Sequence, residues 1–276
     1  MSDTTELDDL ANAFGGDPIA EHDAAEPRFP FVLVIDTSAS TSTPGPDGVP
    51  DIDNINSAVA TIYQKLRSPQ PGDPLELTHH QVDLALIAYS FEPRLVQAWT
   101  AAPDLPISPP LLTPEGGTAT GAALLSALDI CLARQVRYKK DGLPRCGLPH
   151  IFHLTDGGAN DVKIGSRAWH LIEARLKELA PKAQDRRGML WHFVAPGGFA
   201  PTGSGAVDAQ GRPISGAALL SQWFGQDSIV PLEQGADGFE TMADLIVKTI
   251  TAVSQQAAGH QELMATMQVR RLGDGA

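Results

Sequence analysis

Three short stretches of the chain carry side chains whose types and spacing could do chemistry: Asp36-Thr37-Ser38-Ala39-Ser40, Gly116-Gly117-Thr118-Ala119-Thr120-Gly121 and Thr155-Asp156-Gly157. The groups of interest, Asp36, Ser38, Ser40, Thr118 and Asp156, offer oxygen and neither nitrogen nor sulfur. Hydroxyls and carboxylates alone suit a hard cation such as Mg2+ or Mn2+, which takes oxygen ligands and keeps several waters, and Ca2+ accepts the same donors. Zinc is disfavoured. The alternation Asp36, Ser38, Ser40 lets one tight loop turn three short side chains toward a point, and the glycines flanking Thr118 let its backbone approach closely. The bland alternative is a set of polar loops that cap helices.

These stretches need elements that bring them together. Phe29 to Asp36 is a continuous apolar run closed by an acid, the pattern of a strand buried on both faces of a parallel sheet. Ile52, Ile55, Val59, Ile62 and Leu66 recur at helical spacing, with Asp51 or Asp53 available as N-cap and Pro69 as a stop. Val82 to Tyr89 and Leu95 to Trp99 lie close enough to form an antiparallel edge hairpin. Leu124, Leu125, Leu128 and Leu132 suggest a helix from about Thr120 to Val136, and the strand His150 to Leu154 runs straight into Thr155-Asp156. The alternation continues with a helix through Trp169 to Leu179, a strand from Met189 to Val194, a short helix from Leu219 to Phe224, a strand from Ser228 to Leu232 and a helix from Phe239 to Val253. The expected fold is one doubly wound α/β domain, a mostly parallel sheet with one antiparallel edge strand. In such a sheet ligands bind just beyond the carboxyl ends of the strands, where all three stretches fall.

Composition bounds the class. The chain has 276 residues, 42% hydrophobic and 19% charged, with a formal net charge of −13. An acidic balance argues against nucleic-acid binding, which needs a basic face, and no run of apolar residues is long enough for a membrane span. Residues 1–29 hold eight acids against Arg28, a net −7, and read as an acidic flexible tail. The domain then spans 30–256, and 257–276 reads as a C-terminal helical extension. The acidic start does not resemble a secretory signal, and two cysteines, Cys131 and Cys146, are too few for a disulfide framework, so the expected setting is the cytoplasm. Between Ala195 and Ser215 a Gly/Pro/Ser-rich stretch is too long for a routine connection and is expected on the same rim as Asp36 and Asp156, where it could frame a partner surface.

Other chemistries are weaker. Cys146, His150 and His153 have zinc-site types, but the two histidines are three apart on a strand and point to opposite faces. His79-His80 read as solvated loop residues, and Gly197 to Gly205 lacks the GK[ST] of a phosphate loop. An Asp ending the first strand beside Mg2+ could begin aspartyl-phosphate chemistry, yet Ser38 stands where the haloacid-dehalogenase-like pattern needs a second Asp as proton donor. The sequence has no GxSxG, HExxH or post-strand GxGxxG, so no catalytic residues and no organic cofactor are assigned.

DxSxS after the first strand, a Thr in a Gly-Gly-Thr connection and the Asp of Leu-Thr-Asp-Gly together resemble the metal-ion-dependent adhesion site (MIDAS) of von Willebrand factor type A (VWA) domains over about residues 30 to 255. The resemblance implies that Ser38 and Ser40 ligate the metal directly, Thr118 directly or through water, and Asp36 and Asp156 mainly through water. It also implies an open position that a carboxylate from a partner protein fills. Ala39 and Thr41 depart from the common Gly and Met without removing a ligand. With its edge hairpin and TDGxxxD stretch (Asp156 to Asp161), the chain looks most like the bacterial tellurium-resistance TerY-like group. That group implies an adaptor tied to a kinase or phosphatase in stress-response or phage-defence systems. The alternatives are a Mg2+-dependent hydrolase of a phosphate ester and a structural subunit whose metal only holds loops together.

Overall fold

Alternating apolar side chains along β1 (Phe29–Asp36) must be covered on both faces, because a strand projects successive residues to opposite sides. In the computed structural model Phe31, Leu33 and Ile35 pack on one side with α1 (Asp51–Arg67) and α5 (Ala236–Ser254). Val32 and Val34 pack on the other with α2 (Thr120–Lys140), α3 (Arg167–Leu179) and α4 (Gly216–Phe224). The structure describes residues 9, 12–16, 27–143, 147–156, 158–159, 161–182, 189–195, 199 and 207–255.

The six-stranded sheet has the order β3-β2-β1-β4-β5-β6, built with β2 (Val82–Tyr89), β3 (Pro93–Ala101), β4 (His150–Thr155), β5 (Leu190–Val194) and β6 (Ile229–Pro231). Every neighbouring pair is parallel except β2 and β3, which form the antiparallel edge. This is the doubly wound α/β class expected, a mostly parallel sheet with one antiparallel edge strand. The strand order reverses between β1 and β4, so a crevice opens above their carboxyl ends. In the β1/β4 register Ile35 lies opposite Leu154, which puts Asp36 and Asp156 at the lips of that crevice.

Details of the elements differ from the expectation where local chemistry intervenes. Pro50, not an aspartate, occupies the N-cap of α1, and Asp51 and Asp53 sit in its first turn, where acids favour the helix dipole. α2 runs a turn past Val136 and ends on Arg137, Lys139 and Lys140, which complement its carboxyl terminus. β6 is three residues long, since Ser228 belongs to a preceding 3-10 turn. None of the described helices is long and apolar enough to cross a membrane.

On the amino-terminal rim, away from the crevice, Asp83 is buried between Arg134 (2.8 Å) and Arg28 (3.3 Å) and accepts from the Tyr138 hydroxyl. Arg134 also donates to the Gly15 carbonyl at 2.7 Å, so one stretch of the acidic N-terminal segment has a seat on the domain. Cys146, most of the glycine-rich stretch between Ala195 and Val207, and the segment 257–276 lie outside the described residues.

Candidate functional site

β1 delivers Asp36 to the crevice, and the turn after it is held by its own polar groups. Asp36 Oδ1 accepts the Ser38 N–H at 2.8 Å, while Oδ2 accepts from the Tyr89 and Thr155 hydroxyls, each at 3.3 Å. A 3-10 turn, Ala39–Ser42, follows Ser38, and Thr41 donates from both its N–H (3.0 Å) and its hydroxyl (2.8 Å) to the Ser38 carbonyl. Thr41, the departure noted in the sequence, therefore pins the loop by a hydrogen bond. Ser38 Oγ then lies 2.9 Å from Ser40 Oγ, and Ser40 Oγ donates to Asp156 Oδ2. Asp156 Oδ1 accepts the Gly158 N–H at 3.0 Å.

Thr118 arrives from the edge of the sheet. The Glu115 N–H bonds the Thr37 carbonyl at 2.7 Å, and the Ala119 N–H bonds the Ser90 carbonyl at 2.8 Å, which fixes the connection on either side of Thr118. Gly158 packs against Thr118 so closely that an added Cβ would stand 2.9 Å from Thr118 Cγ2 and 3.2 Å from its Oγ1. Asp161 accepts from the N–H groups of Gly121 (2.9 Å) and Ala122 (2.8 Å), capping α2 and tying the β4 loop to the Thr118 connection. The structure thus joins Asp36, Ser38, Ser40 and Asp156 in one hydrogen-bonded set and seats Thr118 against the loop that holds Asp156.

The rim is electronegative. Burial first, and then the charge of Asp156, push the Asp36 carboxyl up to about 7. The Asp51 carboxyl is raised by burial and by Asp47 and Asp156. Among the described residues neither Asp36 nor Asp156 has a salt-bridge partner. Two carboxylates and three hydroxyls are a donor set that a hard divalent ion fits in chemistry and charge. The described residues hold no cluster of three or more His, Cys, Asp or Glu suited to a metal, and three of the five candidate donors here are hydroxyls.

The comparisons with known proteins bear on the fold. No family model matches the sequence, and no curated protein does. Solved structures do. The pilus adhesin SpaC from Lactobacillus rhamnosus GG aligns at TM-score 0.54 and 13% identity, covering 83% of this chain and 31% of that one. The PilB minor pilin from Streptococcus sanguinis aligns at TM-score 0.50 and 15% identity, covering 85% and 63%. A von Willebrand factor type A protein from Catenulispora acidiphila is similar at TM-score 0.46 and 14% identity, covering 82% and 43%. The likeness is one of fold. The chain spans less than two thirds of the length of each of these proteins.

The remaining sequence candidates separate as follows. His150 stacks on Phe31 and His153 bonds Tyr89, so the two histidines serve opposite faces of β4. His80 is exposed and His79 half-buried in a 3-10 turn. The residues that sequence reasoning missed are Tyr89, Thr155 and Asp161, each bonded to the site, together with His153 and His192 behind them. The signal for Tyr89, Thr155, His153 and His192 was their place within two residues of a strand end, which many residues share, whereas Asp161 stands six residues past β4 and was marked only as the last residue of the TDGxxxD stretch.

Proposed function

We propose that the chain is a metal-dependent protein-recognition module in which Asp36, Ser38, Ser40, Thr118 and Asp156 hold Mg2+, with Mn2+ or Ca2+ able to substitute. The observation behind this reading is the convergence of Asp36, Ser38, Ser40 and Asp156 oxygens on a rim where, among the described residues, neither carboxylate has a cationic partner. Hydroxyl ligands are neutral, so the bound ion keeps positive charge for an acidic side chain of a partner. The same acidic rim repels that carboxylate when no ion is bound, which makes recognition depend on the metal.

Binding, not bond breaking, is the role proposed, since Ser38 supplies no acid or base beside Asp36. In the TerY-like reading the module is a cytoplasmic adaptor for a kinase or phosphatase of the same stress-response or phage-defence system. The test is to tag the protein in its native host and compare what copurifies in Mg2+, in EDTA and with Asp36→Ala, after thermal unfolding shows the variant folded. A partner held only by the wild type in Mg2+ is the expected result. A partner retained in all three samples would overturn the reading.

A further inference from the structure

Behind the rim a line of buried polar side chains crosses the sheet. The Tyr89 hydroxyl lies 3.3 Å from Asp36 Oδ2 and 2.8 Å from His153 Nε2, and His153 Nδ1 lies 2.9 Å from His192 Nδ1. All three residues are fully buried. The register explains the line: Tyr89 stands opposite Asp36 on β2, and His153 stands opposite His192 on β5. The far end is His192 Nε2, which has no partner among the described residues, and its ring packs on Phe224 at 4.7 Å.

We propose that Tyr89, His153 and His192 form a positioning chain that orients the Asp36 carboxylate and thereby sets how tightly the rim binds a divalent cation. This rests on the cation reading above. Proton counting gives the chain one direction. Burial keeps both imidazoles neutral, so each carries a single N–H, and the Tyr89 hydroxyl lies within hydrogen-bond reach of Asp36 as a donor. With the Asp36 carboxylate as final acceptor, Tyr89 donates to Oδ2 and its oxygen accepts the proton on His153 Nε2. His153 Nδ1 is then bare and accepts from His192 Nδ1–H. The one atom left over is a bare His192 Nε2, the atom the structure leaves without a partner. A chain whose bonds all point the same way polarises along its length, which strengthens the last bond, the one onto the carboxylate. A fixed carboxylate needs less reordering when an ion arrives, and groups that hold metal-site carboxylates typically contribute ~10–100-fold in affinity.

The test measures Mg2+ and Mn2+ dissociation constants by titration calorimetry on the full chain, with circular dichroism as the check on folding. Tyr89→Phe and His153→Leu break the chain, and both should bind ~10–100-fold more weakly. His153→Gln can donate to Tyr89 and accept from His192, and should recover most of the affinity. Wild-type affinity in Tyr89→Phe would overturn the positioning role, whereas no binding of either ion by the wild type would overturn the cation reading itself. Nitrogen-15 NMR of the wild type in Mg2+ reads the chain without any variant. Protons on His153 Nε2 and His192 Nδ1 are expected, and the opposite tautomers would reject the chain.

Discussion

Phe91 rests its ring on the backbone of Gly117, so closely that a Cβ on the glycine would stand 2.5 Å from Phe91 Cδ1. Gly117 also adopts φ +88°, a left-handed conformation that side chains resist, and Thr118 is the next residue. An aromatic ring at the tip of the β2/β3 hairpin thus sets the backbone that presents a candidate ligand.

Gly117→Ala should therefore cost about 1–3 kcal/mol from strain and displace Thr118 as well. Gly142→Ala is the control, because φ there is +75° with nothing within 4 Å of the added methyl. Denaturant midpoints and Mn2+ affinity measured on both should show the backbone strain in each, a further loss at Gly117 from the Phe91 clash, and weaker metal binding only for Gly117→Ala. Adding Phe91→Ala to Gly117→Ala should restore part of that affinity.

Asp36 is a buried acid whose neighbour Asp156 is also an acid, so without an ion its charge destabilises the fold. Asp36→Asn should leave the metal-free melting temperature unchanged or raised while abolishing the stabilisation that Mg2+ gives. For the wild type that stabilisation is about 2.7 kcal/mol when the ion is at 100 times its Kd. Thermal melts with and without Mg2+ give both numbers, and a wild-type-like rise in the variant would contradict the site.

The buried histidines make stability fall with acid. Burial lowers His153 to about 3, and it lowers His192 as well, with His153 adding to the effect. The pair faces Tyr89 on β2 and the Phe224 ring on α4, with Asp36 one bond further on. Unfolded histidine takes up a proton near pH ~6.5. Below that the unfolded chain binds more protons than the folded one, so stability is full above pH ~6.5 and drops by ~1.4 kcal/mol per unit per histidine as pH falls. Asp36, raised to about 7, acts in the opposite direction over the range between its folded and unfolded values. Urea midpoints at about pH 7.5 and about pH 5.5 should differ less in the His153→Leu/His192→Leu double variant than in the wild type. An equal pH response would show that the histidines are not neutral in the fold.

The opposite rim should respond in stability alone. Removing Asp83 leaves Arg134 and Arg28 buried without their shared carboxylate, a change that typically costs ~3–5 kcal/mol. Asp83→Ala should lose that much in urea unfolding, while its Mg2+ affinity, measured under conditions where it is folded, matches the wild type.

Much of this protein was legible in its sequence, for reasons of periodicity. The apolar runs at 29–36, 82–89 and 150–154 alternate with helical spacings, and only a parallel sheet covered on both faces buries both patterns. Asp36, Ser38, Ser40, Thr118 and Asp156 could be singled out because a strand-end rule says where ligands sit, and their oxygen-only chemistry is written in their types. Tertiary structure alone decided how these residues are held. Tyr89 reaches Asp36 across 53 positions of sequence, Asp161 caps a helix 40 positions before it, and His153 meets His192 only because β4 and β5 pair in that register. Such contacts depend on a one-residue choice of register and on side-chain direction, which hydrophobic patterning leaves open because neighbouring registers can bury similar apolar faces.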